Sequence, residues 1–249
     1  MDNIISIKDL SFSYDKTEIF KHLTFDIKKC KWTTIVGLNS SGKTTLVSLI
    51  NNKYDYSGNI SINNKDSKIS LDEVLVIDDS FDYEDIYVSE LLQKYYNKKK
   101  INKIINDYGL KRMMNKMVHE LNDSEKIILM FCLKLSKSSN IIIIDNLLNK
   151  LLNKDRESII EILNKMSSNI INITTYMDDT LLGDNIIIMD KGKIVLNGTK
   201  EDVFEQNDII KKVGLDLPFI IDLSIKLKYY GLVDRIYFNM EELIDVIWV

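Results

Sequence analysis

Gly37-Leu38-Asn39-Ser40-Ser41-Gly42-Lys43-Thr44-Thr45 reads as a glycine, four residues, then Gly-Lys-Thr. That is the spacing of a phosphate-cradling P-loop. The flanks agree with it: an apolar, β-rich run from Trp32 to Val36 leads in, and Leu46 to Ile50 opens a helical pattern. A strand–loop–helix context is what separates this motif from a chance glycine turn. The glycines allow a tight turn that aims backbone N–H groups inward, and the helix N-terminus adds partial positive charge. Lys43 is placed to reach β- and γ-phosphates, and the Thr44 hydroxyl to hold Mg2+. The sequence therefore predicts a nucleoside-triphosphate site built from Gly37, Asn39, Ser40, Ser41, Gly42, Lys43, Thr44 and Thr45.

The 249 residues suffice for one large α/β domain with an insertion, or for two small domains. Hydrophobic residues make up 45% and charged residues 28%, a globular composition, and the net charge of −4 offers no field for nucleic acid. Arg occurs only at Arg112, Arg156 and Arg235; the other basic residues are Lys. Cys30 and Cys132 lie far apart without metal-ligand spacing and read as buried small hydrophobes in a reducing compartment. His22 and His119 are isolated, which speaks against a metal cluster. No secretory leader pattern and no apolar run near about 20 residues is present. The chain is expected to be cytoplasmic, reaching a membrane only through a partner.

Strand patterns run over Ile4 to Ile7, Phe12 to Tyr14, Leu23 to Ile27, Trp32 to Val36 and Val74 to Ile77. Ile60 to Asn63 alternates like an edge strand after the Ser57-Gly58 turn signal. An acidic loop follows, with Asp78, Asp79, Asp82, Glu84 and Asp85. Helical spacing then extends from Val88 to about Lys137. Ile141 to Ile144 is a fully apolar strand ending at Asp145. Asp155 to Met166 is helical, Ile170 to Thr174 and Ile186 to Met189 are strands, and Lys191-Gly192 turns into Ile194 to Leu196. The rest is helical, broken at Asp216-Leu217-Pro218 by the chain's single proline.

Tyr14, the P-loop, a helical insertion, Ile141-Ile142-Ile143-Ile144-Asp145 and a strand ending Ile173-Thr174 together resemble an ATP-binding-cassette ATPase, over nearly all of residues 1–205. The resemblance implies an α/β P-loop NTPase core with an antiparallel β subdomain, a helical subdomain at about 86–138, and a C-terminal helical tail at 206–249. It implies that Tyr14 stacks on adenine, although a strand aromatic of the core is the plainer alternative. It also implies that Asp145 holds Mg2+ through water, where a helix cap is the plainer alternative. Gly214-Leu215-Asp216-Leu217-Pro218-Phe219, the helical run to Tyr230-Gly231 and the late Met240-Glu241-Glu242-Leu243-Ile244 segment look like the tail of the ATPase subunits of energy-coupling-factor transporters. That family imports vitamins and metal ions, and its tail helps two ATPases dimerise. Implied partners are a second ATPase, giving a heterodimer, a transmembrane energy-coupling subunit and a substrate-binding membrane protein. Implied cofactors are ATP and Mg2+.

The chain departs from the family where hydrolysis is done. The general-base Glu after the Mg2+-linked Asp is Asn146, which cannot take a proton; losing such a base typically costs on the order of 10²–10⁴ in rate. The His that contacts the γ-phosphate aligns with Thr175. The Gln of the loop between the subdomains aligns with Asp79, and a partner-facing Asp aligns with Leu152. The Leu-Ser-Gly-Gly-Gln signature aligns with Leu121-Asn122-Asp123-Ser124-Glu125, where Asp123 and Glu125 repel a γ-phosphate by sign. An ordinary helix cap on Ser124 or Asp123 is the structural reading of that segment. A degenerate transporter ATPase, an active ATPase using Asp79 in place of the Glu, and a nucleotide-binding regulator without a membrane partner all remain open.

Overall fold

The computed structural model describes residues 2–67, 71–79 and 84–247. Phe81, Asp82 and Tyr83 of the acidic loop lie outside the described residues. Two sheets form the frame. β1 (Asn3–Tyr14), β2 (Thr17–Lys28), β4 (Ser57–Ile62) and the two-residue β5 (Lys65–Asp66) make an antiparallel sheet in the order β2-β1-β4-β5. β4 therefore has a neighbour on each side, unlike the edge strand its alternation predicts. The two apolar stretches of β1 are one strand, carried across irregularities in its register with β2.

The second sheet contains β3 (Trp32–Val36), β6 (Val74–Ile77), β7 (Ile141–Asp145), β8 (Asn169–Thr174), β9 (Asn185–Asp190) and β10 (Lys193–Thr199), in the order β10-β9-β3-β8-β7-β6. All pairs are parallel except β9–β10. Those last two are joined through Lys191 and Gly192, both at positive φ, which suits a tight hairpin. Parallel strands are covered on both faces and so read as unbroken apolar runs; Ile141, Ile142, Ile143 and Ile144 are each fully buried.

One face of this sheet packs on helix α1 (Lys43–Ile50) and on the antiparallel sheet, joining Ile35, Ile143 and Ile171 to Leu46, Ile5 and Ile60. The other face is covered by the insertion, α2 (Val88–Tyr95), α3 (Lys98–Asp107) and α4 (Asp123–Lys134), and by α5 (Asn153–Lys165). The last four helices are α6 (Lys200–Phe204), α7 (Asn207–Val213), α8 (Phe219–Tyr229) and α9 (Met240–Ile247). They do not stand apart: Phe204, Ile210, Ile221 and Leu243 share a buried cluster with Val36, Ile186 and Ile188 of the sheet. Cys132 is buried as its apolar context predicts, but Cys30 is only half-buried, at the surface turn before β3, where its thiol contacts Thr33 Oγ1 at 3.2 Å. No described helix is long and apolar enough to cross a membrane.

Candidate nucleotide site

Register brings the site together. Val36 pairs with Thr174, Asp145 with Ile173, and Ile77 with Ile144. The P-loop, Thr175, Asp145-Asn146 and Asp78-Asp79 therefore all leave the sheet at the same carboxyl edge, where open α/β sheets take ligands.

The P-loop has the geometry its glycines demand. A Cβ on Gly37 would lie 2.2 Å from the Met189 carbonyl oxygen, and Gly42 sits at φ 103 against the Phe20 ring. Leu38, Asn39 and Ser40 are exposed, Ser41 is buried, Thr44 is exposed and Thr45 half-exposed. The Ser41 carbonyl accepts from Gly192 N at 2.9 Å, which ties the loop to the β9–β10 turn. Lys43 is buried and curls back, donating to Gly37 O (2.7 Å), Leu38 O (2.8 Å) and Ser41 Oγ (3.1 Å). Burial lowers its pKa, and the Asp145 charge opposes that shift. An ammonium held only by neutral oxygens is poised to exchange them for phosphate oxygens.

Asp145 caps no helix. Its Oδ1 accepts from the Thr44 hydroxyl at 3.3 Å and from Asn146 Nδ2 at 2.9 Å. Burial raises its pKa above the ordinary 3.8; the two hydrogen bonds oppose this, while Asp78 and Asp79 add to it. With the folded pKa raised, the protonated form stabilises the fold below about pH 4, and that contribution is lost as pH rises through the raised value. At neutral pH the carboxylate is thus an unfavourable buried charge that a cation relieves. A hydroxyl next to a carboxylate whose Oδ2 takes no hydrogen bond among the described residues offers hard donors of the type Mg2+ takes, so the residues present fit that ion. Thr44 and Asp145 would hold it.

Asn146 is in the left-handed region, φ 52, with its backbone N–H donating to Ile173 O. Thr175 is half-buried just past β8. Beneath it Thr174 Oγ1 donates to Asp179, which also takes Arg156 Nη2 at 2.6 Å, and Tyr176 N donates to Thr174 Oγ1. That network, which braces the loop around Thr175 from α5, carries no sequence signature. Asp79 is 79% exposed and pairs with Lys150 at 3.4 Å. Tyr14 is 38% exposed at the end of β1, with its ring edge-on to Phe12 and to Tyr54. Tyr54, in the turn after α1, packs its ring against Tyr14 and Phe12, a contact that spacing alone does not flag.

The signature-like segment corrects two expectations. The cap of α4 is Asn122, not Ser124 or Asp123: its side chain accepts from Glu125 N, and Glu125 returns a bond to Asn122 N. The Asn-x-x-Glu spacing of a capping box was the available signal. Glu125 does not face outward as a free charge. It is 4% exposed, with Lys116 Nζ 3.0 Å from both its oxygens, and Arg112 bridges it to Asp155. Asp123 alone keeps its charge at the surface position. Glu125→Ala is expected to lower unfolding stability by about 1–2 kcal/mol, discounted because both cations are partly exposed. Urea denaturation would measure it, and Glu125→Gln, which keeps the cap, should cost less.

Comparison with known proteins agrees with this geometry. The ABC transporter family profile matches residues 20–149, about half of the chain. The energy-coupling factor transporter ATP-binding protein EcfA1 of Leuconostoc mesenteroides is 28% identical over 258 residues, covering 91% of this chain and 92% of its own. The protein of the same name from Ligilactobacillus salivarius is 29% identical, covering 98% and 95%. Among solved structures, cbiO1 from Clostridium perfringens, part of the ABC transporter complex cbiONQ, superposes with a TM-score of 0.68 at 23% identity over 88% of this chain and 97% of that one. An ATP-binding subunit of another ABC transporter gives 0.73 at 18% identity. With the P-loop, the sheet order and the profile in accord, the chain belongs to the ABC transporter family.

Proposed function

We propose that this chain is the ATP-binding subunit of an energy-coupling-factor importer for a vitamin or metal ion, and that it binds ATP–Mg2+ with little or no hydrolysis of its own. The convergence of Lys43, Thr44 and Asp145 at one sheet edge carries the reading. Similarity over more than nine-tenths of the length of named EcfA1 proteins supports the subfamily. In this reading Tyr14 stacks on the base, Asn146 leaves the site without its general base, and Thr175 leaves it without the γ-phosphate contact. The inward-turned Glu125 makes a poor phosphate contact for a partner's nucleotide. The chain then works in a heterodimer with an intact ATPase, peripheral on the inner face of the cell membrane, beneath a transmembrane coupling subunit and its substrate-binding protein. Asp79 as a substitute base is disfavoured by its pairing with Lys150. Thermal shift with and without millimolar ATP–Mg2+ tests the core of the proposal: a folded sample that gains no stability sinks it.

The acidic loop supplies the contact with the membrane subunit. Asp78 bonds Lys53, Glu84 bonds Lys94, and Asp85 bonds His119 at 2.7 Å. Those carboxylates are internally paired, so a partner's Arg must compete for them. Charge reversal at Glu84 and Asp85 is expected to weaken co-purification with the coupling subunit several-fold, more at low salt than at high salt, and to leave ATP binding intact. A complex indifferent to the reversal at both salts places the contact elsewhere.

A further inference from the structure

The residue in the general-base position does something that a Glu there could not. Asn146 Nδ2 donates to Asp145 Oδ1 at 2.9 Å, beside the Thr44 hydroxyl on the same oxygen. Among the described residues nothing donates to Asp145 Oδ2. Turned over, the amide would set two oxygens against each other, so the bond fixes its orientation. The other half of the amide, Oδ1, is buried and has no hydrogen-bond partner, a state that normally costs free energy unless water or a ligand answers it. The backbone at φ 52 suits Asn better than most residues and disfavours a longer acidic side chain.

We propose that Asn146 is a positioning residue for the Mg2+ carboxylate: its amide N–H holds Asp145 Oδ1 so that Oδ2 is presented to the ion, and its buried, unpartnered carbonyl oxygen is the cost of keeping the amide in that orientation. An Asn at this position thereby favours metal-dependent nucleotide binding over proton abstraction. This rests on the ATP–Mg2+ reading above.

The test is the affinity of the full chain for a fluorescent N-methylanthraniloyl ATP, measured in EDTA and across a MgCl2 titration. Asn146→Gly removes the amide while tolerating φ 52, so the fold is kept. It is expected to leave the EDTA affinity unchanged and to raise the Mg2+ concentration at half-effect about 10- to 100-fold, the loss of one hydrogen bond to a charged group. In an Asp145→Asn background the same change should add nothing, because the partner it orients is gone. An unchanged Mg2+ dependence, or equal losses in EDTA and in Mg2+, overturns the assignment, the second pattern marking a purely structural role. A wild-type chain that binds no analogue under either condition removes the nucleotide reading itself, and the two failures are distinguishable.

Discussion

Lys43→Ala is expected to abolish ATP–Mg2+ binding at millimolar nucleotide. The Lys43 ammonium is the side-chain cation that the P-loop holds ready, and it is buried among three loop oxygens. Hydrogen bonds to charged groups contribute about 1.5–3 kcal/mol each, so losing two phosphate contacts corresponds to about 10²–10⁴ in affinity. A ligand at 100 times its dissociation constant stabilises a fold by about 2.7 kcal/mol; the variant should show essentially none of this. Because the ammonium also ties Gly37, Leu38 and Ser41 together, the ligand-free variant should melt somewhat earlier. Equal ATP stabilisation in both proteins would remove the P-loop from the account.

The second large effect concerns turnover. The purified chain should hydrolyse ATP on the order of 10²–10⁴ more slowly than a relative with an intact general base. Asn146→Glu alone should not recover the rate. The new carboxylate would join Asp145, Asp78 and Asp79 at one edge, and its backbone would sit at a φ that acidic residues of that length adopt reluctantly. Asn146→Glu with Thr175→His should raise turnover only when a competent partner supplies its signature segment. Steady-state phosphate release, with and without that partner, reads both. Full recovery by Asn146→Glu alone would show that the loop relaxes and that the inference about Asp145 is wrong. A brisk wild-type rate lost in Asp79→Asn would favour the substituted-base reading.

The parallel strands were legible nearly to the residue, because short β-branched and apolar runs of this length suit a covered sheet: Trp32 to Val36 in its middle and Val74 to Ile77 at its edge match their predicted bounds. The P-loop was legible because its glycines answer backbone demands that no other residue meets. Orientation was not legible. Whether Glu125 meets solvent or Lys116 depends on a cation nine residues upstream and on Arg112, and no local pattern encodes that pairing. Local sequence does not single out the cap, because Asn122, Asp123 and Ser124 are all good caps and only the reciprocal bond to Glu125 chooses among them. Register alone points to Asp79, whose side chain pairs with Lys150, 71 residues on. The left-handed turn at Asn146 is likewise a tertiary result.

The shared burial of the last three helices has a consequence at the level of the gene. Val36, the residue just before the P-loop, lies in one cluster with Ile210, Ile221 and Leu243, and an added Cβ on Gly214 would stand 3.5 Å from Leu38 Cδ1. Each such apolar side chain contributes about 1.5–3 kcal/mol when buried, and a whole domain's margin is only about 5–15 kcal/mol. A premature stop codon near residue 205 would therefore not yield a smaller working subunit that merely lacks a docking arm. It would strip the sheet beside the P-loop of its cover, and the allele would behave as a null.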